Sequence, residues 1–163
     1  MDDTELLALA TSLGESLKQR QYRLATAESC TGGWVAKVIT DVPGSSHWYE
    51  RGFVTYTNLA KQQMLGVSAS TLEQYGAVSE ATVREMAEGA LARSEAELAV
   101  AISGIAGPGG GSEEKPVGMV CLAWTGPVGV KLETFHFSGD REAVRRQAVQ
   151  RALSGLQEQL QDG

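Results

Sequence analysis

Apolar residues recur at helical spacing at both ends of the chain. Near the N-terminus this spacing predicts an amphipathic helix from about Thr4 to Gln19. A similar stripe predicts a final helix that starts near Asp140 and carries Val144, Ala148, Ala152, Leu156 and Leu160 on one face. Between them, shorter helices are predicted over Trp34–Ile39, from Asn58 as N-cap to Leu65, over Thr71–Gln74, and from the cap Ser79 onward.

Short apolar runs between these helices predict strands. They are Leu24–Ala27, Phe53–Thr57, Leu98–Ile102, Val117–Trp124 and Lys131–Phe137. The last two are separated by a short glycine- and proline-containing turn and are expected to pair antiparallel. The alternation of helices and strands predicts one α/β domain over residues 1–163. We expect a three-layer α/β/α sandwich with a mixed, mainly parallel sheet of about five to six strands.

Composition and charge exclude several classes of function. The net charge is −6 and the sequence pI is about 5.0, so neither a nucleic-acid partner nor an anionic membrane is expected. The start of the chain lacks the pattern of a signal peptide, and no run of apolar residues is long enough to cross a bilayer. Cys30 and Cys121 form neither a disulfide framework nor a metal-ligand pattern, so we expect a cytoplasmic protein with no bound metal.

A serine follows the first predicted strand, in the segment Ala27–Gly33. The backbone N–H groups at the start of the next helix, contributed by Cys30, Thr31, Gly32 and Gly33, would favour negative charge beside Ser29. A tetrahedral oxyanion formed by attack of Ser29 on an amide would be stabilised there. Alternatively, Ser29 or Thr31 is only the helix N-cap, and the residues alone leave both interpretations open.

A serine nucleophile needs a base, and the sequence offers two kinds. His47 and His136 have no carboxylate nearby in the sequence to orient them. Lys61 lies in the first turn of a predicted helix, just after Tyr56 at the end of the second strand. If the first two strands are parallel neighbours, Lys61 meets Ser29 at one sheet edge, where partial burial lowers its pKa. A solvated surface lysine is the alternative.

A glycine-rich loop and two arginines are candidates for substrate contact. The loop Ser103–Ser112 follows the most apolar strand, but Pro108 and the following strand exclude a dinucleotide-binding turn. Glycines allow close backbone approach to a ligand, although a flexible surface loop is also possible. Arg141 and Arg145 lie one helical turn apart and suit a phosphate monoester, unless they belong to a solvated helix face.

In their order along the chain, five segments resemble the CinA C-terminal-domain family. They are Ala27–Gly33, Tyr56–Lys61, Gly76–Ser79, Ser103–Pro108 and Phe137–Arg141, and the resemblance covers nearly the whole chain. Enzymatic members of that family are nicotinamide mononucleotide deamidases. The resemblance therefore implies hydrolysis of the carboxamide of this nucleotide to nicotinic acid mononucleotide and ammonia, in pyridine nucleotide salvage and without a cofactor.

The resemblance also implies roles for individual residues. Ser29 matches the family nucleophile, Lys61 its base and Tyr56 a residue beside that pair; the internal rival of Ser29 is Cys30. The expected substrate contacts are Ser103, Gly104, Ala106, Gly107, Arg141 and Arg145. The chain resembles the stand-alone form, and apolar Trp48, Tyr49 and Phe53 favour a homodimer. Alternative functions are a non-catalytic nucleotide-binding or regulatory module, or an amidase for another small carboxamide.

Overall fold

Five strands form one mixed sheet in the computed structural model, which describes residues 1–162. The strands are β1 (Leu24–Glu28), β2 (Tyr49–Val54), β3 (Leu98–Gly104), β4 (Met119–Gly126) and β5 (Gly129–His136), in the spatial order β2-β1-β3-β4-β5. The pairs β2–β1 and β1–β3 are parallel, whereas β3–β4 and β4–β5 are antiparallel. Only β4 runs against the other four strands, which confirms the mixed, mainly parallel sheet.

Six helices cover the two faces of this sheet within residues 1–162. They are α1 (Asp3–Arg20), α2 (Trp34–Thr40), α3 (Asn58–Leu65), α4 (Ala69–Tyr75), α5 (Glu80–Ala92) and α6 (Arg141–Asp162). Helices α1, α2 and α6 share a hydrophobic core with one face, and α3, α4 and α5 with the other. This arrangement confirms the predicted three-layer α/β/α sandwich.

The two faces of the sheet differ in side-chain size. Because successive strand residues point to opposite faces, β1 and β3 present large residues such as Leu98, Val100 and Ile102 to α1 and α6. Their small neighbours, including Ala25 and Ala99, pack against α5. The small residues let α5 lie close to the sheet, while the larger ones fill the space beneath α1 and α6.

The second strand lies earlier in the sequence than predicted. Its bounds are Tyr49–Val54, and it pairs with β1 as an edge strand, so its polar residues Glu50 and Arg51 need no apolar cover. The predicted cap of α3 is also displaced by one residue. The Thr57 hydroxyl accepts a hydrogen bond from the Ala60 N–H at 3.1 Å, which makes Asn58 the first helical residue.

The proposed dimer surface is partly wrong because Trp48 belongs to the core. Its side chain is buried and packs against Gly14, where an added Cβ would lie 2.5 Å from the indole ring. The hydroxyls of Tyr49 and Thr26 are hydrogen-bonded at 2.7 Å, and Phe53 packs against the α5 side of the core. These aromatic residues are used within one chain, and the homodimer stays a prediction without them.

Candidate active site

The nucleophile candidate lies where two parallel strands end side by side. In the register of this pair Glu28 is opposite Val54, so the residues that follow β1 and β2 emerge at one edge of the sheet. The Ser29 N–H donates to the Ile102 carbonyl at 3.0 Å, and the Thr55 N–H donates to the Glu28 carbonyl at 2.9 Å. These bonds extend the strand pairing by one residue and hold Ser29 firmly in place.

Lys61 reaches back from the first turn of α3 to Ser29. Its Nζ lies 2.9 Å from Ser29 Oγ, 3.1 Å from the Thr55 carbonyl and 3.2 Å from the Tyr56 carbonyl. Ser29 Oγ is itself 3.4 Å from the Tyr56 carbonyl, to which it can donate. The structure thus brings Ser29 and Lys61 into direct contact, as the neighbouring parallel strands were expected to do.

The surroundings of Lys61 destabilise its charged form relative to an exposed lysine. The side chain is 1% exposed, and none of the ion pairs within residues 1–162 includes it. Burial lowers the pKa of the Lys61 amine from its ordinary value. The three contacts fit both protonation states: a charged amine donates to Ser29 Oγ and to the two carbonyls, whereas a neutral amine donates to the two carbonyls and accepts from the Ser29 hydroxyl. The arrangement can therefore take a proton from Ser29.

The other candidates for nucleophile and base are unsuited to those roles. Burial raises the pKa of the Cys30 thiol to about 12, so it stays protonated near neutral pH. His47 and His136 are both exposed, and neither borders the cavity that contains Ser29. Ser29 and Lys61, which are in direct contact, therefore remain the candidates for nucleophile and base in this cavity.

An open cavity of about 240 Å³ lies in front of Ser29 and Lys61. Four of the predicted contact residues in the glycine-rich loop line it, namely Ser103, Gly104, Ala106 and Gly107. Arg141 closes one side, with Nη1 donating to the Gly107 carbonyl at 2.8 Å and Nη2 to the Tyr56 hydroxyl at 3.2 Å. Tyr56 is 59% exposed. Its backbone carbonyl contacts Ser29 and Lys61, whereas its hydroxyl accepts a hydrogen bond from Arg141.

The second predicted arginine lies outside this cavity. Arg145 borders a separate cavity of about 480 Å³ together with Thr31, Gly32 and Gly33. Its Nε donates to the Cys30 carbonyl at 3.0 Å and its Nη2 to the Thr31 carbonyl at 3.1 Å. Although Arg141 and Arg145 are one helical turn apart, they line different cavities, and the substrate contact of Arg145 stays a prediction.

The N-terminus of α2 binds a carboxylate of the same chain. Gly32 and Gly33 have φ of +58° and +100°, which glycine adopts without strain, and they turn the chain into the helix. The free N–H groups of α2 donate to the buried carboxylate of Glu28, from Val35 at 2.9 Å and from Ala36 at 3.0 Å. The Glu28 carboxylate therefore occupies the first free N–H groups of the helix, which lie after the four residues predicted to face an oxyanion.

The four predicted oxyanion donors lie in the loop before α2. The Gly32 N–H donates to the Ser29 carbonyl at 3.0 Å and is already used. Within residues 1–162, the N–H groups of Cys30, Thr31 and Gly33 have no hydrogen-bond acceptor. The Thr31 hydroxyl is bound to the Glu28 carboxylate at 2.6 Å, which fixes this loop from its inner side.

Metal-ligand clusters and membrane-spanning helices are both absent from residues 1–162. No group of three His, Cys, Asp or Glu side chains there is placed to hold a metal ion. None of the described helices combines the length and the apolar character that crossing a membrane requires.

The model of one protein family, the CinA C-terminal domain, matches residues 6–160. The chain belongs to this family. The match runs from the first turn of α1 to the end of α6, so the CinA domain includes both walls of the Ser29 cavity.

Relatives of this CinA domain include named enzymes. Nicotinamide-nucleotide amidohydrolase PncC of Escherichia coli (strain K12) is 59% identical over 161 residues, covering 98% of each chain. The protein of the same name from Pseudomonas putida is 54% identical, covering 93% of this chain and 94% of the relative. Among solved structures, the competence/damage inducible protein CihA from Agrobacterium tumefaciens is 46% identical with a TM-score of 0.93, covering 97% and 96% of the two chains.

Sequence reasoning missed two contributors to the site of this CinA domain. Glu28 could have been suspected, because a carboxylate at the end of a buried strand requires several donors. The carbonyl of Thr55 had no such signal, since every residue carries one. Its importance follows only from the path between β2 and α3, which aims it at Lys61.

Proposed function

We propose that this CinA domain hydrolyses the carboxamide of nicotinamide mononucleotide, yielding nicotinic acid mononucleotide and ammonia for pyridine nucleotide salvage. The observation that carries the proposal is the 2.9 Å contact between the buried Lys61 amine, which has no ion-pair partner in residues 1–162, and Ser29 Oγ. The names of relatives that are 54–59% identical over nearly their full length support the same reaction.

In the first half of the reaction Ser29 attacks the carboxamide carbon. Neutral Lys61 takes the Ser29 proton as the bond between Oγ and carbon forms, and the carboxamide oxygen becomes an oxyanion. The charged amine then gives this proton to the nitrogen, which leaves as ammonia when the tetrahedral intermediate collapses. The carbonyls of Thr55 and Tyr56 accept hydrogen bonds from Lys61 in both of its protonation states.

In the second half, water resolves the acyl-enzyme. Lys61 is neutral again after ammonia leaves, and it takes a proton from water as the oxygen attacks the ester carbon. Collapse of the second tetrahedral intermediate returns the proton to Ser29 Oγ and releases the carboxylic acid. Each step uses only Ser29, Lys61, water and the substrate, so no cofactor enters the proposal.

Arg141 is the proposed ligand of the substrate phosphate. Its guanidinium donates to two neutral groups, Gly107 and Tyr56, and takes part in none of the ion pairs of residues 1–162. A guanidinium at the rim of a cavity and without an acidic partner suits a phosphate monoester. The backbone of Gly104–Gly107 lines the same cavity as Ser29 and Arg141, and the nucleotide would lie against it.

The test is ammonia release from nicotinamide mononucleotide by the purified protein. Wild-type protein should release ammonia and nicotinic acid mononucleotide in equal amounts, and Ser29→Ala, which removes one oxygen atom, should release neither above background. Tight binding of the nucleotide without product would favour the non-catalytic module. The remaining alternative is an amidase for another small carboxamide. A panel of nicotinamide, nicotinamide riboside and unrelated carboxamides tests it, because one of them would then be a better substrate than the mononucleotide.

A further inference from the structure

The loop that follows Ser29 is a thin wall between two cavities. Cys30 borders the cavity that contains Ser29 and Lys61, whereas Thr31 borders the larger cavity on the other side. Arg145 lies on that other side and holds the loop by two carbonyl oxygens, those of Cys30 and Thr31. The guanidinium also lies over the Trp34 ring, 5.5 Å from its centroid, which fixes its plane.

The geometry of the peptide bond determines which way the Thr31 N–H points. The bond between Cys30 and Thr31 is trans, so its carbonyl and its N–H point in opposite directions. Because Arg145 draws the Cys30 carbonyl toward the larger cavity, the Thr31 N–H points away from that cavity. Thr31 is fully buried, and its N–H has no acceptor within residues 1–162.

A buried N–H without an acceptor is costly, and native structures keep one only where something compensates. An oxyanion at Ser29 would be such a partner, because it would form in the Ser29 cavity, which the other residue of this peptide, Cys30, lines. Helix α2 cannot supply the donor, since its first free N–H groups are bound to Glu28. The loop is therefore held from both sides, by Glu28 through the Thr31 hydroxyl and by Arg145 through the two carbonyls.

We propose that Arg145 is a positioning residue that aims the Thr31 N–H at the oxyanion formed on Ser29. This inference rests on the proposed function and assigns Arg145 a role other than binding the substrate phosphate. A phosphate ligand acts on substrate affinity, and only for substrates that carry the phosphate. A residue that aims an oxyanion donor acts on the chemical step, and equally for all substrates with the same carboxamide.

The experiment compares two substrates that differ only in the phosphate, nicotinamide mononucleotide and nicotinamide riboside. In Arg145→Ala, kcat should fall roughly 10- to 100-fold for both, because loss of a whole oxyanion donor costs about 10²–10³ and this donor is only misaimed. KM should change less than about threefold for either substrate, since ground-state contacts are kept. Added guanidinium ion should restore part of the lost kcat in this variant.

Arg146→Ala is the matched control. Arg146 also lies over the Trp34 ring, 4.9 Å from its centroid, but it pairs with Asp3 and Glu142 and does not contact the Ser29 loop. Its kcat should equal that of the wild type. If Arg145→Ala does not fold, Arg145→Lys keeps the charge but loses the two-pronged hold, so its kcat should fall for both substrates in the same way.

Three results would overturn the proposal. The first is a higher KM for the mononucleotide alone, which would make Arg145 a phosphate ligand. The second is an unchanged kcat in folded Arg145 variants. The third is an equal loss of kcat in Arg146→Ala. Absence of ammonia release by the wild type from either substrate is a distinct outcome, because it removes the proposed function and this inference together.

Discussion

Replacing Lys61 tests whether a neutral amine removes the Ser29 proton. Lys61→Met keeps a flexible side chain of similar length but has no basic group, and Lys61→Arg keeps a positive charge that cannot be lost near neutral pH. If Lys61 serves only as a positive charge near the oxyanion, Lys61→Arg should stay active. If it is the base, both variants should lose activity.

The expected loss follows from what a general base contributes. Positioned proton transfer accelerates reactions by about 10²–10⁴-fold, so kcat should fall by that factor in both variants, which is about 3–5 kcal/mol of transition-state stabilisation. The structure favours a loss toward the upper end. Among the described residues that line the cavity, the only other cationic side chain is Arg141, and a guanidinium does not serve as a neutral base.

The pH dependence gives a second readout with a definite sign. Only neutral Lys61 accepts a proton, so wild-type kcat/KM should rise with pH and level off above the pKa of Lys61. Burial lowers that pKa, so the midpoint should lie below the ordinary value of 10.5. The scan runs from about pH 7, above the ionisation of the substrate phosphate near pKa ~6, to about pH 10. The residual activity of Lys61→Met should lack this rising limb.

The free energy of unfolding, measured without substrate, should also depend on pH through the lowered pKa of Lys61. Between the lowered pKa of the folded state and 10.5 in the unfolded chain, the unfolded chain binds the additional proton. The free energy of unfolding therefore rises with pH in this window, by about 1.4 kcal/mol for each unit by which the pKa is lowered. Below the lowered pKa, Lys61 is protonated in both states and contributes no slope. Urea unfolding of wild type and Lys61→Met should differ by this slope.

Two results would refute the reasoning about Lys61. One is substantial activity in Lys61→Arg, which would show that a fixed positive charge is sufficient. The other is a rising limb in the wild-type pH profile that persists with the same midpoint in Lys61→Met. Either result would assign proton removal from Ser29 to another group.

Three further predictions concern the residues around this pair. Arg141→Ala should raise KM for nicotinamide mononucleotide by roughly 10- to 100-fold and leave nicotinamide riboside unaffected, because a charged hydrogen bond to phosphate is worth about 1.5–3 kcal/mol; equal effects on both substrates would contradict the phosphate assignment. Glu28→Gln should lower the free energy of unfolding by about 1–3 kcal/mol, measured in urea, because one buried N–H of α2 then meets an amide nitrogen; unchanged stability would contradict its capping role. Iodoacetamide near neutral pH should not inactivate the native protein, since Cys30 is buried and its pKa is raised to about 12; inactivation that parallels alkylation of Cys30 would refute this.

The layered fold was predictable because hydrophobic periodicity records which faces are buried. The stripes of α1 and α6 and the apolar run of β3 each identify their element directly. Strand β2 was misplaced because an edge strand needs little apolar surface, so Glu50 and Arg51 resemble a loop. Trp48 was misread as an interface residue because composition alone does not reveal the glycine of α1 that makes room for it.

The candidate site was predictable only as far as chain topology determines it. Parallel neighbours β1 and β2 bring Ser29 and Lys61 to one edge, and the sequence suggested that adjacency. The directions of the side chains of α6 were not predictable from helical spacing. Arg141 and Arg145 are one turn apart, yet Arg141 lines the Ser29 cavity and Arg145 lines the other cavity. The occupation of the α2 N-terminus by Glu28 likewise depends on where a carboxylate points at the end of a strand.

The covalent intermediate tests the central claim most directly. Wild-type protein is mixed with nicotinamide mononucleotide, quenched in acid during turnover and digested, and peptide fragmentation locates any added mass. The account predicts an adduct with the mass of the nicotinic acid mononucleotide acyl group on Ser29, and neither adduct nor ammonia in folded Ser29→Ala. An adduct on Cys30, or wild-type turnover in Ser29→Ala, would contradict it.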